Sequence, residues 1–129
     1  MEGQARQILL AEDDRFLRKA AEATLRQRGF CVLTAVDGEE ALRVARSETP
    51  DLILLDLIMP KMQGFEVLRI LKEDPATARI PVIVLSNLGQ EQDVRHALEA
   101  GAAAYYVKAS LSLQDLVKRV EEALQKVKT

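Results

Sequence analysis

Short apolar runs punctuate the chain at residues 8–11, 31–35, 52–55, 82–85 and 104–107. Each is rich in aliphatic or β-branched side chains and has the length of a strand. Several are apolar at every position instead of alternating, which is the pattern of parallel strands covered on both faces. Five strands with helices on both sides are therefore predicted.

The intervening segments carry helical spacing. Leu17, Ala20, Ala21, Thr24 and Leu25 fall on one stripe, and Gly29 is placed to end that helix. Asp14 is expected to cap its start, since a side-chain oxygen there satisfies a free backbone N–H. Asp37 with Glu40 reads as a capping box opening a second helix, with Pro50 just past its end. A third helix begins near Gly64 with Phe65, Leu68 and Leu71 inward. Residues 91–100 form a fourth, stopped by Gly101, in which His96 is read as a surface residue without a partner. Ser112 with Asp115 opens a fifth that carries Leu116, Val117, Val120 and Leu124 inward, with Leu111 and Leu116 spaced as a hydrophobic staple. The basic ending KVKT reads as a solvated last turn favoured by the helix dipole.

Strict alternation of strand and helix implies an α/β fold, a three-layer doubly wound parallel sheet with right-handed crossovers. At 129 residues the chain has the size of one domain, residues 1–129, with no room for a second. Hydrophobic residues at 48% and charged residues at 29% exclude a disordered or fibrous chain. A net charge of -2 creates no field favouring nucleic acid or anionic membrane, so no direct contact with either is expected. No apolar run approaches the roughly 20 residues that span a bilayer, and the N-terminus lacks a secretory signal, so the cytoplasm is the expected compartment. With one cysteine, Cys31, and one histidine, His96, any metal must be held by oxygen.

In open parallel sheets ligands bind beyond the carboxyl ends of the strands. There the first strand runs into Glu12, Asp13 and Asp14, the third into Asp56, the fourth into Ser86 and the fifth into Lys108. If the first and third strands are neighbours, carboxylates converge on one spot. Clustered carboxylates repel, and a divalent cation is their natural compensation. Oxygen-only ligation with space for waters fits Mg²⁺. Lys108 supplies a point positive charge and Ser86 a hydroxyl within reach of a phosphoryl group on Asp56. The set suits transfer of phosphate to a carboxylate.

These segments, "ILLAEDD", "DLILLDLIMPKMQGFEVL", "IPVIVLSN" and "GAAAYYVKAS", resemble those of the receiver domains of two-component response regulators. The resemblance runs from near the start of the chain to near its end. It implies a flavodoxin-like sheet of order 2-1-3-4-5. It also implies that Asp56 is the phosphoacceptor, that Asp13 binds Mg²⁺ directly and Glu12 through water, and that the backbone carbonyl of Ile58 is a further ligand. Ser86 and Lys108 would hold the phosphoryl oxygens, and Tyr105 would follow the shift of Ser86. Met59, Pro60 and Gly64 match the turn after the acceptor. The implied partners are a sensor histidine kinase or histidine phosphotransfer protein and a downstream protein target. The implied role is a switch with only weak catalysis of its own phosphorylation and dephosphorylation.

The family's Lys is usually followed by Pro and its Ser by a small residue; here Ala109 and Asn87 stand there. A cis bond before a non-proline residue costs about 2.5 to 4 kcal/mol, so a trans Lys108–Ala109 peptide is expected. Ile58 and Leu88, two positions beyond Asp56 and Ser86, are apolar, and they are expected to shield an aspartyl phosphate from water and lengthen its life. A flavodoxin-like electron carrier needs a donor-rich phosphate loop where this chain has acids. A Mg²⁺ phosphohydrolase needs a substrate pocket cap that a chain this short lacks. A receiver cut from a larger regulator with a DNA-binding or enzymatic output is the alternative; the absence of a linker favours the stand-alone form.

Overall fold

The computed structural model describes residues 5–128. Five strands and five helices alternate: β1 (Gln7–Ala11), α1 (Arg15–Gln27), β2 (Cys31–Ala35), α2 (Gly38–Glu48), β3 (Leu52–Asp56), α3 (Gly64–Glu73), β4 (Val82–Ser86), α4 (Glu91–Glu99), β5 (Ala104–Val107) and α5 (Leu113–Lys128). A short 3₁₀ turn, Lys108–Ser110, joins β5 to α5. All pairings are parallel and the sheet order is β2-β1-β3-β4-β5, as expected. β3 and β4 run one residue further than their apolar runs, so Asp56 and Ser86 are the last residues of their strands.

The sheet divides two hydrophobic cores. Successive strand residues point to opposite faces. Leu9, Ile53, Leu55, Val82 and Val84 pack under α2, α3 and α4, while Ile8, Leu10, Leu52, Leu54, Ile83 and Leu85 pack under α1 and α5. This two-sided cover is why β3 and β4 are buried at every position. Burial of each such Leu or Ile favours the fold by roughly 1.5–3 kcal/mol.

The caps form with one change of partner. Asp14 accepts from the Leu17 N–H at 3.1 Å, and Ser112 from that of Asp115 at 3.0 Å. Asp37 accepts from the Glu40 N–H at 2.8 Å, but the Glu40 carboxylate reaches back to the N–H of Val36 at 2.8 Å rather than to Asp37 itself. Gly29 and Gly101 follow α1 and α4 at φ +93 and +112, where other residues are strained. The predicted staple pair, Leu111 and Leu116, both join the core under α1 and α5. The ending lies only partly within the described residues: α5 reaches Lys128, and Thr129 lies outside them.

Two expectations differ, at Leu17 and His96. Leu17 is exposed, because it lies in the first turn of α1 at the side of an open apolar cavity that it lines with Leu10, Leu85 and Leu113. Phe65 is half-buried at the start of α3 and packs against the core as expected, and Val67 joins Leu68 and Leu71 inside it. His96 is exposed as expected but does have a partner: its ring stacks on Phe65, with centroids 4.4 Å apart and planes 15° from parallel.

Candidate functional site

The ladder register explains how residues distant in sequence meet. Ala11 pairs with Leu55, Asp56 with Leu85, and Ser86 with Val107, so the next residues along β1, β3, β4 and β5 emerge side by side at one edge. There the carboxylate oxygens of Glu12, Asp13 and Asp56 lie within 4.8 Å of one another. Glu12 and Asp56 are each only 4% exposed, and Asp13 is open to solvent. Burying carboxylates together is costly unless positive charge joins them. Lys108 supplies it: its Nζ lies 2.6 Å from Glu12 Oε1 and 2.9 Å from Asp56 Oδ2.

Burial raises the Glu12 pKa, opposed by hydrogen bonds from Lys108 and the Asp14 N–H, with the Asp56 charge adding to the rise. Burial works against the Lys108 ammonium, but its bonds to Glu12 and Asp56 outweigh that, and its pKa is raised. Asp56 Oδ1 accepts from the Ile58 N–H at 3.1 Å, which fixes the carboxylate plane between a backbone donor and Lys108. The Ile58 side chain stands 59% exposed above this turn. Below it, a Cβ on Gly64 would lie 2.3 Å from the Leu57 Cα, and the Gly64 N–H donates to the Leu57 carbonyl at 2.9 Å. Only glycine permits that approach. Ser86 is wholly buried beside this cluster.

The chain matches the family model of the response regulator receiver domain over residues 8–121. It belongs to that family. A gliding motility regulatory protein of Myxococcus xanthus is 44% identical over 114 residues, 88% of this chain but 15% of that protein. The probable transcriptional regulator ycf27 of Guillardia theta is 37% identical over 119 residues, 92% of this chain and 45% of that protein. The chain thus spans less than half the length of both relatives. The receiver domain protein of Methanospirillum hungatei superposes with a TM-score of 0.90 at 25% identity, covering 97% of this chain and 98% of the other. The signal receiver domain of a histidine kinase from Syntrophus aciditrophicus gives 0.87 at 34% identity over 96% of this chain and 93% of the other. Receiver domains are signalling switches of two-component systems. No described helix is long and apolar enough to cross a membrane.

Around the receiver's pocket, Ser86 and Tyr105 meet at one residue. The Leu88 N–H donates to Ser86 Oγ at 3.1 Å, and the Tyr105 hydroxyl donates to the Leu88 carbonyl. Burial raises the Tyr105 pKa, so the phenol keeps its proton for that bond. The Lys108–Ala109 peptide is trans, since the described residues contain no cis bond, and the 3₁₀ turn carries the chain on to α5.

Two features escape the strand-end reading. Arg18 on α1 donates from Nη1 to the carbonyls of Glu12 at 3.1 Å and Asp13 at 3.3 Å. Its place one turn beyond the Asp14 cap is a signal that spacing alone could have offered. The second is an apolar rim: Phe16, Leu17, Val36, Ile58 and Leu113 are exposed large hydrophobic side chains, all at the carboxyl edge of the sheet, and among the described residues only Leu98 shares that class elsewhere. Phe16 is 89% exposed.

Proposed function

We propose that this receiver takes a phosphoryl group onto Asp56 from the phosphohistidine of a sensor histidine kinase or histidine phosphotransfer protein. The observation that carries the reading is the environment of Asp56: a buried carboxylate flanked by Lys108, within reach of two further carboxylates and beside a buried hydroxyl. An Asp56 oxygen attacks phosphorus, the P–N bond breaks, and the donor imidazole leaves with the bonding electrons. Lys108 pairs with the transferred oxygens, and Ser86 donates to one of them. The apolar rim supports a protein donor rather than a small molecule.

The donor set fits Mg²⁺: all three groups offer oxygen, two are fixed by burial, and the exposed Asp13 side leaves space for waters. Asp13 would bind it directly, Glu12 through water, with Asp56 and the Ile58 carbonyl completing the protein's share. When bound, the ion neutralises charge on the phosphoryl oxygens. As Ser86 turns toward the phosphoryl group it releases the Leu88 N–H, and Tyr105, bonded to the same residue, follows. The altered surface then binds a downstream protein. Residues 1–129 act as a single receiver domain in the cytoplasm, without direct contact to nucleic acid or membrane, and catalyse only their own phosphorylation and its slow reversal.

The length of the relatives favours a second arrangement, in which the same receiver is one part of a longer regulator with a DNA-binding or enzymatic output. The chemistry at Asp56 is the same in both. Incubation with a small phosphodonor and Mg²⁺ adds one phosphoryl group, detected by intact mass. Full labelling of Asp56→Asn, or labelling indifferent to a chelator, would overturn the assignment.

A further inference from the structure

We infer that Arg18 is a positioning residue for the cation site. Its guanidinium fixes the backbone of residues 12 and 13 so that the Asp13 carboxylate stays beside those of Glu12 and Asp56. The inference rests on the cluster being the cation site proposed above.

The β1–α1 junction leaves two carbonyls between sheet and helix. The Glu12 N–H still joins the sheet, donating to the Ala35 carbonyl at 2.9 Å, and the Asp14 N–H turns back to Glu12 Oε2 at 3.0 Å. The helical pattern resumes with the Arg18 N–H donating to the Asp14 carbonyl at 2.9 Å. The carbonyls of Glu12 and Asp13 fall between these bonds, and the Arg18 side chain takes both. A guanidinium suits this, since its planar donors hold two acceptors with little loss of freedom.

Asp13 needs such a brace more than its neighbours do. Lys108 holds Glu12 and Asp56 directly. Asp13 is exposed, and among the described residues no donor bonds its carboxylate, so its place in the cluster is set by its backbone alone. Among the described residues Arg18 makes no ion pair, so its charge is left facing the acidic loop. Charge and clamp act in opposite directions. If Arg18 mattered only as a positive charge, its removal would tighten cation binding; if it holds Asp13 in place, its removal weakens it.

The test is Mn²⁺ binding to the unphosphorylated full chain at neutral pH, with free Mn²⁺ read by electron paramagnetic resonance. Arg18→Met is expected to raise the Mn²⁺ Kd about tenfold, the scale of losing an outer-shell partner. Arg18→Gln, which keeps an N–H donor without charge, falls nearer the parent, and Lys19→Met on the same helix leaves binding unchanged. Phosphorylation follows: Arg18→Met needs more Mg²⁺ for half-saturation, while its rate at saturating Mg²⁺ stays near the parent's. Unchanged or tighter Mn²⁺ binding by both Arg18 variants, with Asp13→Asn weakened, would overturn the clamp and leave the cation site standing. Unchanged binding by Asp13→Asn would instead sink the cation site itself. Should Arg18→Met fail to fold by urea titration, Arg18→Lys decides the same question: it keeps the charge without the planar fork, so weakened Mn²⁺ binding supports the clamp and unchanged binding overturns it.

Discussion

The β1–α1 loop is braced three times within three residues, by the Glu12 carboxylate on the Asp14 N–H, the Asp14 carboxylate on that of Leu17, and Arg18 on two carbonyls. Across the pocket, the β4–α4 loop is tied to β4 and β5 through Leu88, by two hydroxyls. It leads into α4, whose one buried residue is Ala97. The first loop is built to keep oxygens in place, as a hard cation requires. The second has few buried contacts, the condition for local motion. One pocket thus has a fixed wall and a wall that can answer a change at Asp56.

The largest expected effect tests whether the fixed wall depends on Lys108. Lys108→Met leaves Glu12 and Asp56 buried without their cation, and urea unfolding at neutral pH should show a loss of about 3 kcal/mol. Addition of Mg²⁺ should restore much of it, whereas the parent gains less. The sign of the pH dependence follows from the shifts. The raised Glu12 pKa gives stability that is fully present below the ordinary glutamate value and lost as pH rises through the folded one, so the deficit of the variant shrinks as pH falls toward the glutamate range. The raised Lys108 pKa gives the parent stability present below the ordinary lysine value and lost as pH climbs through its folded one. A deficit that stays constant from neutral pH to the glutamate range would contradict this account.

Tyr105→Phe tests the other wall. It removes one hydrogen bond, at a cost of about 1 kcal/mol. Hydrogen exchange should quicken at residues 87–90 and in α4 but not at residues 12–14; equal quickening at both would erase the contrast between the loops. A subtler test concerns Ile58 and Leu88, one exposed over the pocket and the other packed on the core. After donor removal, Ile58→Asn with Leu88→Glu should lose its phosphoryl group faster than the parent, because polar side chains there can orient water. Equal decay would show that apolar shielding does not set the lifetime.

How far the sequence carried this picture follows from which rules were local. Strand runs, capping residues and strand-end acids obey short-range rules, so the fold and the positions of Glu12, Asp13, Asp56, Ser86 and Lys108 were legible. Leu17 was misplaced because helical periodicity does not say where the apolar cover over a helix ends. The His96 stack on Phe65 joins two helices and has no signature on either. Arg18 was missed although its spacing from the Asp14 cap was readable, because its bonds are to carbonyls, which are present at every residue and single out no acceptor. Ser86 and Tyr105 were expected to act together on a phosphoryl group, and their shared hold on Leu88 required the loop conformation itself.

The Lys108 to Asp56 bond closes over 52 residues, and the other groups of the pocket arrive from two further strand ends, those of β1 and β4. No contiguous fragment contains the site. Closing so long a loop costs chain entropy before any contact rewards it, and contacts this distant in sequence form late in folding. A nascent or partly folded chain that lacks β5 pairing therefore holds Asp56 without its ammonium, and on the proposed reading of Asp56 phosphorylation competence is expected to report completed folding. Quality control is in this sense built into the chemistry: a receiver that can be switched is one that has already closed its sheet.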